Sequence, residues 1–128
     1  MQITHVEVIP VELDLSLPYR ALYEEKVERA TLVFVRIDIQ DGRSAWGCAA
    51  FDPLLTGETV EQVTRACRRC ATRALDLNPL NTEFALAELA PLTAGTPSAL
   101  CAFDAAFHDL LGLAAGLPLH RLLGGYRY

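Results

Sequence analysis

The chain has 128 residues, 52% of them hydrophobic and 21% charged, which makes room for one domain and excludes a multidomain enzyme within this stretch. Eleven Lys plus Arg against sixteen Asp plus Glu leave a net charge of -5, so a phosphate backbone or an anionic lipid surface would be repelled overall, and neither nucleic acid nor membrane is an expected partner. The apolar fraction suffices for a real core, because a chain this long buries about two-thirds of its unfolded surface.

The longest run free of charge or His, Leu89 to Phe103, is interrupted by Pro91, Gly95 and Pro97 and is shorter than a membrane span. At the start, Glu7, Glu12 and Asp14 fall where an export signal would be apolar, so the expected compartment is the cytoplasm. Cys48, Cys67, Cys70 and Cys101 then read as reduced thiols rather than a disulfide framework.

In chain order, the first segment shows two apolar phases, Val6 and Val8 on one face, then Ile9, Val11, Leu13 and Leu15 on the other. Pro10 stands at the changeover and predicts a bulge or an edge position, since it cannot donate to a ladder. Thr31 to Gln40 alternates cleanly, with Val33, Val35, Ile37 and Ile39 on one face. Asp41-Gly42 then predicts a two-residue turn with positive φ at both positions, and Ser44 to Ala50 returns as a third strand.

After Phe51 the spacing becomes helical. Thr56 or Thr59 can cap a helix, Thr59 with Gln62 matching a capping box, and Val60, Val63, Cys67, Cys70, Ala71 and Ala74 share one face opposite Arg65, Arg68, Arg69 and Arg73. A shorter helix runs from Thr82 to about Ala90. A third has Thr96 as cap, Pro97 at its first position and Gly116 past its end. A last turn spans Pro118 to Leu123 and stops at Gly124-Gly125. The expected class is α+β, a three-stranded antiparallel meander followed by three to four helices. The third helix is apolar nearly all round, with only Ser98, Asp104, His108 and Asp109 polar. Such a helix demands burial on several sides, within the domain, at a homodimer seam, or against a larger body.

Few residues read as chemistry. Cys67 and Cys70 form a CxxC, but they fall mid-helix on the apolar stripe, and Cys48 and Cys101 have no partner at zinc-ligand spacing; core packing is the expectation. Asp104 and His108, four apart, can pair on one helix face, without a nucleophile or metal partner to make a catalytic dyad. His5 and His120 stand alone. The loop from Ser16 to Val27 carries Tyr19, Arg20, Tyr23 and Lys26, and reads either as a site for a small acidic ligand or as a solvated connection with packed aromatics. Phosphate-loop, dinucleotide, nucleophile-elbow and zinc-protease motifs are missing.

Several strings in order carry a resemblance. Gln40-Asp41-Gly42 into Ala45-Trp46-Gly47, then Leu55-Thr56-Gly57-Glu58-Thr59, then Ala99 to Leu110, then Gly116-Leu117-Pro118-Leu119 with Leu122-Leu123-Gly124-Gly125 resemble the N-terminal capping domain of the enolase superfamily. The branch is that of muconate lactonizing enzyme and mandelate racemase, dipeptide epimerases included. The resemblance implies a cap over a C-terminal TIM barrel that is absent from residues 1–128 and begins near Gly125. It implies no catalytic residue in this chain, and a parent enzyme, a racemase, epimerase or cycloisomerase, whose barrel carboxylates hold Mg²⁺ while a base removes the proton next to the carboxylate of a small substrate. The parent is expected to be a homo-oligomer. The cap chooses substrate through two loops, Ser16 to Val27 and Ala50 to Gly57, so Leu17, Pro18, Tyr19, Arg20, Tyr23, Phe51 and Asp52 become candidate substrate contacts. Cys48 stands where the family usually carries Glu. The rival expectation is a freestanding binding module that dimerises through the third helix.

Overall fold

Period-two alternation decides the centre of the fold. Val33, Val35, Ile37 and Ile39 are all buried and lie on the middle strand, β2 (Glu24–Ile39), of a three-stranded antiparallel sheet flanked by β1 (Ile3–Ala21) and β3 (Ser44–Ala50). The computed structural model describes the backbone of residues 1–21 and 24–125, and side chains at 1–20 and 26–125. Register sets Val6, Val8 and Pro10 against Ile37, Val35 and Val33 from one side, and Ala45, Gly47 and Ala49 against the same three from the other. Opposed residues share a face, so these form the floor on which the helices pack.

Pro10 sits on an edge strand but makes no bulge; pairing runs straight through it, and the register shifts fall between Ile3 and His5 and beyond Asp14. The turn after β2 also differs from expectation. Among the described residues only glycines have positive φ, and here that is Gly42 at 86°. Gly42 N–H donates to Ile39 O at 3.0 Å and Ile39 N–H to Arg43 O at 3.0 Å, the pattern of a turn closed by a glycine bulge, in which Asp41 need not enter the left-handed region. Asp41 instead accepts from Arg43 N–H at 3.1 Å.

The segment Ser16 to Val27, expected as a loop, is mostly strand: Tyr19 pairs with Val27 and Ala21 with Glu24. It contains no Gly, Asn or Asp to turn the chain, and its one breaker, Pro18, falls inside the register shift between Asp14 and Tyr19 on the edge strand, where a missing N–H costs nothing. Backbone groups on both arms therefore find partners in each other.

Among the described residues, five helices, the first and last a single turn each, and one 3₁₀ turn follow the sheet. Asp52 caps α1 (Pro53–Thr56), accepting from Leu54 N–H at 2.9 Å, and Gly57 closes it at φ 72°. Thr59 and Gln62 form the expected capping box on α2 (Val60–Ala74), with Gln62 N–H donating to Thr59 Oγ1 at 3.3 Å and Thr59 N–H to Gln62 Oε1 at 3.0 Å. α3 (Thr82–Leu89) runs into a 3₁₀ turn, Ala90–Thr93; α4 (Pro97–Ala115) and the short α5 (Leu119–Leu122) complete the chain.

Thr96 stands at the N-cap position of α4 as expected, but its side chain makes no capping bond. Thr96 turns its hydroxyl back to Thr93 O at 3.1 Å, and the helix end is satisfied from elsewhere in the chain, by Glu58. Length and composition alone would let α4 cross a membrane, but it packs on the sheet, burying Ala99, Ala102, Phe103, Ala106, Phe107 and Leu110. Its close approach depends on Gly47, where a Cβ would lie 1.8 Å from Ala102 O. Asp109 and Ser98 cover the free edge of β3, accepting from Trp46 N–H at 3.1 Å and donating to Ala50 O at 3.4 Å, which blunts that edge against further pairing.

The surplus apolar face expected of α4 is thus absorbed within the domain. α2, α3, the 3₁₀ turn and α5 surround the helix, and its exposed positions include the small residues Cys101 and Ala105. The large apolar side chains left in solvent lie elsewhere, among them Leu17, Leu54, Leu55, Phe84 and Leu123. Among the described residues no large apolar side chain of this helix is left exposed to support dimerisation through it.

Candidate functional site

The far end of the β1-β2 hairpin and the segment after β3 face each other across a cleft of about 810 Å³. The hairpin side contributes Tyr19, Val27, Arg29 and Leu32, and the other side Phe51, Asp52, Leu54, Leu55 and the first turn of α2. Local sequence explains why the second wall stands where it does. Asp52 followed by Pro53 starts a helix at once, since proline needs no N–H at the first helical position and the carboxylate satisfies the next donor. One turn later Gly57 reverses the chain. The result is a small knob that holds Leu54 and Leu55 outward, 63% and 69% exposed.

Of the candidate contacts, Tyr19, Phe51 and Asp52 line the cleft. Leu17, Pro18 and Arg20 lie on the exposed end of β1 and outside that lining, and Tyr23 lies outside the described residues. Leu54, Leu55, Val27 and Arg29 were not singled out from sequence. The Asp-Pro helix start was the available signal for the two leucines, whereas Val27 and Arg29 become visible only once the hairpin register is known.

The electrostatics of the cleft are set by pairing. Arg29 donates to Glu12 at 2.7 Å and lies 2.9 Å from Asp14, its cross-strand neighbour, so its charge is already met. Asp52 is engaged by the backbone of α1. Glu61 sits in the first turn of α2, where the helix dipole favours a carboxylate.

Other clusters read as structure. Cys67 and Cys70 are fully buried, and burial pushes their thiols up to about 12 and about 11, the reverse of a reactive pair. His108 Nδ1 lies 2.8 Å from Asp104 Oδ1 and 3.0 Å from the Asp104 carbonyl oxygen, a pairing internal to one helix. Cys48, where the family usually has Glu, is half-buried on the outer face of the sheet beside Phe34. A smaller groove of about 420 Å³ between β1 and α2 is lined by Pro10, Val60, Glu61, Thr64, Arg65 and Arg68, away from the hairpin end. Among the described residues no group of three or more His, Cys, Asp or Glu could hold a metal ion.

Comparison with known proteins agrees with this architecture. Residues 3–124 match the model of the mandelate racemase / muconate lactonizing enzyme N-terminal domain. A hydrophobic dipeptide epimerase of Enterococcus faecalis is 33% identical over 100 residues, covering 78% of this chain and 28% of that protein. An L-Ala-D/L-Glu epimerase of Bacillus subtilis is 30% identical over 128 residues, covering 99% and 35%. The chain thus spans about a third of the length of these relatives. A crystal structure of a dipeptide epimerase from Enterococcus faecalis, complexed with Mg and L-Leu-L-Tyr, superimposes with a TM-score of 0.91 at 30% identity, over 98% of this chain and 35% of that one. In sequence, in strand order and in the helices that follow, residues 3–124 are an N-terminal domain of the mandelate racemase / muconate lactonizing enzyme family, and the chain belongs to that family.

Proposed function

We propose that this chain is the substrate-specificity cap of an enolase-superfamily isomerase of the epimerase or racemase type, closing over a C-terminal barrel that removes a proton α to a carboxylate. The observation that carries the reading is the cleft itself, bounded by the hairpin end and the α1 knob, with its apolar rim directed outward where a second domain would close it. Tyr19, Phe51 and Asp52 are the proposed contacts within the cleft; Leu17, Pro18 and Arg20 are proposed to reach substrate from the exposed end of β1 when the cap closes, and Tyr23, outside the described residues, is proposed as a further contact. Closure by these residues would exclude water and hold the substrate in one orientation.

Among the described residues no group of three or more His, Cys, Asp or Glu could hold a metal ion, and the proposal places the Mg²⁺ ion and the base in the remainder of a longer protein. Support for that division comes from relatives about three times longer than the chain, one of which is solved with Mg and a dipeptide. The test is to read the coding sequence beyond Tyr128 and to assay its full product, with Mg²⁺, for exchange of the α proton of dipeptides in D₂O by mass spectrometry. Exchange that disappears when residues 1–128 are deleted, while the remaining domain stays folded by circular dichroism, is the expected result. A coding sequence that ends without a barrel, or exchange that survives the deletion, overturns the reading.

A further inference from the structure

The chemistry of the cleft walls points to the kind of side chain they would accept. Tyr19, Val27, Leu32, Phe51, Leu54 and Leu55 supply an apolar surface on both sides. The cation in the lining, Arg29, is paired at the surface with Glu12 and Asp14, so an incoming carboxylate would compete with two already present. Bringing an acidic side chain here would desolvate it against a guanidinium already paired and close to Glu61, with no free donor of opposite charge among the described lining residues. A basic side chain fares little better, because Asp52 holds the α1 backbone and Glu61 is a single exposed carboxylate at the rim. An aliphatic or aromatic group loses no hydrogen bonds on entry and covers leucines that are otherwise 63% and 69% exposed.

We propose that this cleft selects an apolar side chain, so that the enzyme carrying this cap acts on dipeptides with a large aliphatic or aromatic residue in preference to acidic or basic ones. The inference rests on the cap reading above and adds the substrate class to it. Arg20 is exposed on β1 and outside the cleft lining, so the contact proposed for it on closure is with a part of the substrate other than the side chain held in the cleft.

The experiment uses the full-length product with Mg²⁺ and a panel of L-Ala-L-Xaa and L-Xaa-L-Ala dipeptides in which Xaa is Leu, Phe, Glu or Lys, read by α-proton exchange and, separately, by calorimetric binding. The expected kcat/KM for the better Leu or Phe dipeptide exceeds that for every Glu or Lys dipeptide by about tenfold or more. The variants Leu54→Asp and Leu55→Asp place a charge on exposed positions that the fold does not need, and circular dichroism checks that they fold. They are expected to erase most of that preference, mainly through KM and binding, with kcat little changed.

Equal or better turnover of a Glu or Lys dipeptide by the unmodified protein overturns the inference while leaving the cap reading intact. So does discrimination unchanged in both aspartate variants. Loss of the acidic-substrate rate in Arg20→Ala, were such a rate found, would assign recognition to Arg20 instead. Absence of exchange with every dipeptide overturns both the inference and the reading on which it rests.

Discussion

Glu58 reaches across forty positions of sequence to hold the start of α4: its carboxylate accepts from Ser98 N–H at 3.0 Å and from Ser98 Oγ at 2.6 Å. Glu58 is fully buried, and its position at the helix N-terminus places a carboxylate at the positive end of the dipole. It also follows directly on Gly57, which ends the α1 knob. One side chain therefore ties the cleft wall to the helix that forms the core.

Replacing Glu58 should cost more than an ordinary hydrogen bond. Glu58→Ala removes two charge-assisted bonds, leaves donors at the α4 start unmet and opens a cavity, so a loss of about 3–5 kcal/mol is expected. Ser98→Ala, which keeps the backbone donor, should lose about 1–2 kcal/mol. Glu58→Gln should fall between them, because it keeps the shape and one acceptor. Urea denaturation of the three variants ranks them, and a Glu58→Ala loss below that of Ser98→Ala would contradict the proposed role.

Gly47 makes a second, steric demand. A Cβ there would stand 1.8 Å from Ala102 O and 3.1 Å from Ala106 N, both backbone atoms of α4, so the helix itself must move. Gly47→Ala is expected to destabilise by about 3 kcal/mol or more. Gly42→Ala serves as the comparison: nothing lies within 4 Å of its Cβ, and the cost is only that of φ +86°, about 1 kcal/mol. Similar urea midpoints for the two variants would show that α4 does not rest on β3 as closely as described.

These two residues also show where sequence reading stops. Alternation in β2 and the capping box at Thr59 are local signals, with partners within a few positions, and both were legible. So was the end of α4 at Gly116, with φ 64°. Glu58 and Gly47 act on residues about forty to sixty positions away, and nothing near them in sequence marks the partner. The hairpin end was misread for a related reason: Tyr19 and Val27 form strand because they find each other, a pairing that neither residue announces. In the cleft, sequence supplied Tyr19, Phe51 and Asp52 through family resemblance, whereas the pairing of Arg29 with Glu12 and Asp14 needed the register.

Acid should expose the contribution of Asp38. Arg36 donates to its two oxygens at 2.9 and 2.7 Å, and Ser44 Oγ adds a bond at 2.6 Å; the Arg36 bonds first, then Ser44, hold its carboxyl down to about 2. A carboxyl lowered in the folded state stabilises above its ordinary value near 4 and loses that contribution as pH falls through about 2. Because the pair is partly exposed, solvent screening leaves only part of that stabilisation. Asp38→Asn should therefore be less stable than the unmodified chain at pH 6, and the difference should shrink as pH falls from about 4 through about 2. A difference that stays constant down to pH 2 would mean that the charge on Asp38 does not matter.

Thiol labelling separates the four cysteines by burial alone. Cys101 is exposed and Cys48 half-buried, while Cys67 and Cys70 are buried. Burial first, and then the neighbouring Cys70, pushes Cys67 up to about 12, which leaves it almost wholly a thiol at pH 8. Cys70, raised to about 11 by burial against a small opposing effect of Arg69, is little better placed. Cys48 is raised in the same direction by burial and by nearby Cys101. An aromatic disulfide reagent at pH 8 is therefore expected to modify Cys101 fastest, Cys48 more slowly, and Cys67 and Cys70 only at the rate of unfolding. Adding urea below the transition should then accelerate the last two while leaving Cys101 nearly unchanged, because their labelling is limited by opening and not by chemistry. Modification of Cys67 in the folded chain at the rate of Cys101 would place the CxxC at the surface, and with it restore a redox role that its burial now opposes.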